Sequence, residues 1–172
     1  KRVYVKRKDQ FDFQSANLKT KIKNTLDIDL EDIKIYNRYD IETSDDNLKK
    51  ILYTVLSEAP IDEVYAFDEA INLQESFKRT IVSQYLPGQF NPREKGVIDA
   101  SLLIIEDSEL SVKASTVYEL SGVKDYDIEK IEDFLINPVD SQQVSLIGIP
   151  TTLKVNNNKN LENVIFDNFR EY

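Results

Sequence analysis

The sequence predicts an α+β fold made of two copies of a β-α-β-α-β unit, and three observations carry that expectation. Apolar residues alternate with polar ones in some segments and recur at helical spacing in others. The order strand, helix, strand, helix, strand occurs twice. The segments after the second helix of each copy also correspond, Ala59-Pro60-Ile61-Asp62-Glu63 lining up with Asn137-Pro138-Val139-Asp140-Ser141. A unit this small buries its helices only when another copy completes or backs its sheet. The expected arrangement is therefore two halves, 1–70 and 71–149, packed like a fused homodimer. Antiparallel sheet is expected, with helices on one face of each half. Residues 150–172, with Asn156-Asn157-Asn158-Lys159-Asn160, are expected to form a polar linker.

In the first half, Arg2 to Lys6 reads as a short strand, and Leu18, Ile22 and Leu26 form one stripe of an amphipathic helix. Ile33, Ile35, Tyr39 and Ile41 then alternate with Lys34, Tyr36, Arg38, Asp40 and Glu42, the pattern of a strand with one face buried. For Tyr4 and Tyr36 core or edge packing is the commoner reading, with an outward position under a covered sheet surface or a partner as the alternative. Ser44 is a good N-cap, and Asp45 and Asp46 suit the positive first turn of the helix that carries Leu48, Ile51, Leu52, Val55 and Leu56. Pro60 ends that helix, and Val64 to Phe67 reads as a strand.

In the second half, Lys78 to Leu86 is a strand closed by a Pro87-Gly88 turn. Asn91 caps a helix that has Pro92 at its first position and runs to about Glu106. Val112 to Ser121 is a strand, with Gly122 opening the turn. Asp125 to Ile136 is a helix with Ile128, Ile131, Phe134 and Leu135 inward. Pro138 ends it, and Val144 to Ile147 supplies a last strand.

Composition narrows the chemistry. The 172 residues include no cysteine and no histidine, which excludes Ser-His and Cys-His nucleophile pairs, disulfides and the common zinc sites. Four glycines in all, at the wrong spacing, exclude a phosphate-cradling loop. The net charge of −9 argues against nucleic acid as a partner. Lys1 to Lys8 and Lys19 to Lys23 are the only basic stretches, and the second, on the solvent face of an amphipathic helix, reads as solvated surface. No apolar run approaches the ~20 residues of a membrane span, so a cytoplasmic protein is expected.

Three segments merit weighing as sites. Asp27-Ile28-Asp29-Leu30-Glu31-Asp32 offers four carboxylates, but an EF-hand needs glycine and glutamate where Asp32 and Arg38 stand, so a solvated loop anchored by Ile28 and Leu30 is the reading. Glu58, Asp62 and Glu63 around Pro60 read as a turn rather than an acid-base pair. Leu86-Pro87-Gly88-Gln89-Phe90, followed by Arg93 at a helix start, is the most distinctive segment. Turn and cap chemistry explain most of it, while Gln89 and Arg93 suit contact with an acidic or anionic partner.

Four motifs in matching order carry a family resemblance. They are Asn37-Arg38-Tyr39-Asp40, Ser57-Glu58-Ala59-Pro60-Ile61-Asp62-Glu63-Val64-Tyr65, Leu86-Pro87-Gly88-Gln89-Phe90 and Leu135-Ile136-Asn137-Pro138-Val139-Asp140-Ser141. From about Arg2 to Ser145 the chain resembles the N-terminal domain of large, single-chain phosphoribosylformylglycinamidine synthase. That resemblance implies an ATP- and glutamine-dependent ligase of purine biosynthesis as the parent. It implies that ATP and magnesium belong to a synthetase region, and a cysteine nucleophile to a glutaminase domain, neither lying in these residues. It further implies a fused pair of the small bridging subunit, which holds the two catalytic domains together. Leu86, Pro87, Gly88, Gln89, Phe90 and Arg93 become the expected interface residues, with no catalytic, cofactor or metal residue here. After Phe90 the family usually continues Asp-Gln-Arg-Ala-Asp-Ser, so only Arg93 carries over, and Gln142 stands where the family often has arginine. The tail from Leu161 to Tyr172 is expected to lead toward the synthetase region. Two other readings compete: an effector-binding module of paired ferredoxin-like halves, with Gly88 admitting a small ligand, and a carboxylate-dependent hydrolase.

Overall fold

Two long strands, β2 (Asp32–Glu42) and β5 (Ser111–Ser121), pair along their whole length in a computed structural model that describes residues 1–148 and Leu153. The other elements are β1 (Arg2–Arg7), α1 (Phe13–Leu26), α2 (Asp45–Ile51), β3 (Asp62–Ala66), α3 (Asp68–Ser76), β4 (Thr80–Tyr85), α4 (Pro92–Leu102), α5 (Ile128–Leu135) and β6 (Ser141–Gln143). One antiparallel sheet holds all six strands in the order β3-β1-β2-β5-β4-β6. The order β3-β1-β2 of the first half thus recurs, reversed across the junction, as β5-β4-β6. Register runs from Asp32 opposite Ser121 to Glu42 opposite Ser111, symmetric about Asn37 opposite Thr116. The expected duplicated α+β architecture is what the chain adopts.

Local chemistry sets the helix ends. Asp12 caps α1 by accepting from the Ser15 N–H at 3.0 Å, and Asp27 closes that helix in the left-handed region at φ 55°. Ser44 caps α2 through the Asn47 N–H, and Asn91 caps α4 with Pro92 in its first turn. A π-helical turn, Leu52–Leu56, extends α2 and buries Leu52 and Leu56.

Four helices lie on one face, and each pairs with a helix of the other half. Ile22 of α1 and Ile131 of α5 meet over Ile33, Ile81 and Leu120. Leu48 and Ile51 of α2 and Val97 of α4 share a second core over Val3, Val5, Tyr39, Ile41 and Val112. The two halves thus share both cores, in which each fully buried aliphatic side chain is worth ~1.5–3 kcal/mol.

The opposite face is where expectation and structure part. The face of β2 that carries Tyr36, Arg38 and Asp40, expected exposed, is covered. Tyr4 and Tyr36 are 0% and 4% exposed, which is the core packing that is the commoner reading of both. They lie with Val82 and Val117 beneath Ala70 and Leu73 of α3, Phe77, and the segment carrying Val144 and Leu146. Phe77 stands edge-on to both tyrosines, with ring centroids 5.7 and 5.0 Å away. Helix α3, unforeseen, therefore covers this face and runs across the 70/71 boundary. The last strand is Ser141–Gln143, not Val144 to Ile147: the Val144 N–H still bonds the Val82 carbonyl, after which the chain turns over the sheet. Helix α4 stops at Leu102 rather than Glu106, and β3 stops at Ala66 because Phe67 turns to φ 54°. Apart from Leu153, the expected linker at 150–172 lies outside the described residues.

Candidate interface site

Across the helix face of β2 and β5 the paired side chains are apolar except at the middle. Ile33 with Leu120 and Ile35 with Tyr118 lie on one side, Tyr39 with Ala114 and Ile41 with Val112 on the other. Asn37 and Thr116 form a polar row between them, and the two apolar cores stop on either side of it. Two cavities open along that row. One of about 280 Å³ lies beside Asn37 and takes in Arg7, Asp12, Glu58 and Asp62. Another of about 360 Å³ lies beside Thr116 and takes in Tyr85, Asn91, Arg93 and Asp140. They are counterparts, each bounded by its half's first strand, the N-cap of the next helix and the central strand.

The counterparts have diverged in charge. In the first, Arg7 pairs with Asp62 at 3.2 Å, and Asp62 also accepts from the Glu58 N–H at 2.9 Å. That is the turn reading of the Pro60 carboxylates, realised in hydrogen bonds. In the second, Arg93 donates to Thr116 Oγ1 at 3.2 Å and forms no ion pair among the described residues. Burial pushes the Tyr39 and Tyr118 hydroxyls above their ordinary range, with Arg93 pulling against it.

The expected interface residues divide into a projecting loop and one exposed side chain laid along the sheet. Leu86 is half-buried and its N–H bonds the Asp140 carbonyl at 2.8 Å. Gln89 closes a turn on the Leu86 carbonyl at 3.0 Å, with Gly88 at φ 85°, a conformation that glycine adopts without Cβ strain. Pro87, Gly88 and Gln89 are exposed, and the Phe90 ring is 70% exposed. Arg93 points instead along the sheet to Thr116, so it shares the cavity rather than the loop surface.

The remaining sequence candidates resolve as structure. Ile28 and Leu30 are buried anchors, while Asp27 and Asp29 face Lys23 at 3.2 and 3.8 Å. Among the described residues, no three acidic side chains gather as a metal site. Within the basic N-terminal segment Arg2 and Lys6 are both buried at 6% exposed, while Lys1 and Arg7 are exposed.

Sequence reading missed a polar cluster under α3. Arg2 makes a bidentate pair with Asp40 at 2.7 and 3.0 Å, and also donates to Gln74 Oε1 and to the carbonyls of Leu146 and Gly148. Arg38 donates to Ser115 Oγ at 2.7 Å and to the Ser145 carbonyl at 3.0 Å. Together the two guanidiniums hold the chain where it leaves the second half. The one available signal was the alternation of Arg38 and Asp40 on a central strand, both of whose faces turn out to be covered.

Compared with protein-family models, curated proteins and solved structures, the chain matches none. No helix among the described residues is long and apolar enough to cross a membrane.

Proposed function

We propose that this chain is a non-catalytic assembly domain, the N-terminal part of a phosphoribosylformylglycinamidine synthase, bridging its synthetase and glutaminase domains. The observation that carries the reading is the full-length β2–β5 pairing, which fuses two copies into one sheet whose helices pack across the halves. That arrangement is consistent with a covalently joined dimer of a small bridging subunit. The projecting Pro87–Phe90 loop, ending in an exposed phenyl ring, supports it as a docking point. ATP and magnesium belong, on this reading, to the synthetase region and not to these residues.

The test is association. The chain is titrated calorimetrically into a synthetase–glutaminase polypeptide of that enzyme lacking its N-terminal domain. A complex is expected, weakened about tenfold or more by Phe90→Asp or Arg93→Glu. No heat and no complex would overturn the reading. One observation favours the effector-module alternative, the cavity holding an Arg93 without a carboxylate partner. Thermal shift with amino acids and nucleotides separates the two, since a ligand held there raises the melting temperature.

A further inference from the structure

The two outer strands of the sheet are counterparts but are finished differently. On one edge, β6 is three polar residues long, Ser141-Gln142-Gln143, after which the chain leaves the sheet. Short polar edges resist pairing with other strands. The other edge, β3, runs Asp62-Glu63-Val64-Tyr65-Ala66, and among the described residues no strand lies beyond it in the sheet order. Each face of this edge carries a groove with apolar walls. On the side of α2, Val64 and Ala66 face Leu52, Tyr53 and Phe67. On the side of α3, Tyr65 faces Leu73. Tyr53, Phe67 and Ile71 remain 68%, 41% and 56% exposed. Phe67 holds its exposed ring at φ 54°, a backbone conformation costly for a bulky residue.

The rim of this edge is mainly acidic. Glu63 and Glu69 border the α3 groove, and Asp68 and Glu69 border the α2 groove together with one cation, Lys49. Asp68 and Glu69 form no ion pair among the described residues, whereas Glu63 has the Lys6 ammonium at 3.8 Å. The Tyr65 hydroxyl senses the field: burial, then Glu63, Asp9 and Glu69, push it up to about 12.

We propose that the outer edge of β3 is a strand-docking site for a protein partner, taking an extended segment of alternating apolar residues flanked by lysine or arginine. An added strand satisfies the unpaired backbone of the edge and sends alternate side chains into the two grooves. The acidic rim selects basic flanks and disfavours a second copy of this chain, which would bring the same carboxylates to its own edge. The proposal deepens the assembly reading by naming a surface through which a neighbouring domain is held, and it rests on that reading.

The test uses the whole chain and a synthetic peptide, Lys-Lys-Val-Thr-Val-Thr-Val-Lys-Lys, against its counterpart with glutamate in place of every lysine. Backbone amide NMR is expected to show shifts centred on 62–66, with the basic peptide binding at least about tenfold tighter. The double variant Asp68→Lys with Glu69→Lys changes two exposed side chains, and circular dichroism confirms its fold. In that variant the preference is expected to reverse. Equal affinity for both peptides, shifts centred elsewhere, or self-association through β3 would overturn the proposal. The proposal is also overturned, with the assembly reading intact, if the double variant joins the synthetase–glutaminase polypeptide as tightly as wild type. If wild type binds no such polypeptide yet takes the basic peptide at β3, the docking site stands and the assembly reading falls.

Discussion

Replacing Asp40 with asparagine keeps the side chain's shape and removes its charge. In the native fold Asp40 accepts two hydrogen bonds from Arg2, and the two side chains are 7% and 4% exposed. Arg38 is 2% exposed on the same face, so the cluster holds two guanidiniums against one carboxylate. Without Asp40, two buried cations face only neutral acceptors. Breaking one member of a buried ion pair costs about 3–5 kcal/mol. For a chain of this size each kcal/mol shifts the midpoint by roughly 2–4 °C, so a fall of about 6–20 °C is expected. The assay is reversible thermal unfolding followed by circular dichroism. Asp27→Asn is the control, because Asp27 is 94% exposed beside Lys23 and asparagine tolerates its left-handed backbone; its midpoint is expected to stay with wild type. An Asp40→Asn midpoint indistinguishable from that control would refute the reasoning.

Other expectations concern the cores, a turn and the tyrosines. Ile131→Ala empties part of the α1–α5 contact and is expected to cost about 2–5 kcal/mol in urea unfolding; a loss near zero would contradict the cross-half packing. Gly122→Ala places a methyl at φ 69° against the Glu31 side chain, and a loss of about 1–2 kcal/mol is expected in the same assay. Burial raises the hydroxyls of Tyr4, Tyr36, Tyr39, Tyr65 and Tyr118 in the folded chain, Tyr65 to about 12. The unfolded chain releases those protons near pH 10 and the folded chain holds them, so this stabilisation is complete below pH 10 and falls away above it. Ultraviolet titration is therefore expected to show tyrosine ionisation tied to unfolding between about pH 10 and 12; tyrosines that all titrate near 10 with the fold intact would contradict their burial.

Local chemistry made several elements legible. Ser44 and Asn91 cap helices as their side chains dictate, and Pro87-Gly88 forms its turn with glycine at positive φ. The alternation in β2 and β5 gave both central strands, and the repeat gave the duplicated sheet. What stayed hidden depended on contacts between distant residues. Helix α3 begins at Phe67, which adopts positive φ without being glycine, and its buried stripe is thin, with Ala70 as its one buried residue. Because α3 was not foreseen, the face of β2 that carries Arg38 and Asp40 was read as exposed. Val144 and Leu146 misled for a related reason, since their apolar side chains pack over the face instead of continuing β6. Of the candidate interface, the Leu86–Phe90 loop was legible, whereas the course of Arg93 along the sheet to Thr116 depends on where β5 is placed beside α4.

The central claim is that this chain couples two catalytic domains, and one rate comparison tests it most directly. A synthetase–glutaminase polypeptide lacking its N-terminal domain is assayed for ligase activity with glutamine and separately with ammonia, before and after this chain is added. The account predicts that the chain restores the glutamine-dependent rate while the ammonia-dependent rate changes little. Both rates indifferent to its addition would contradict the account.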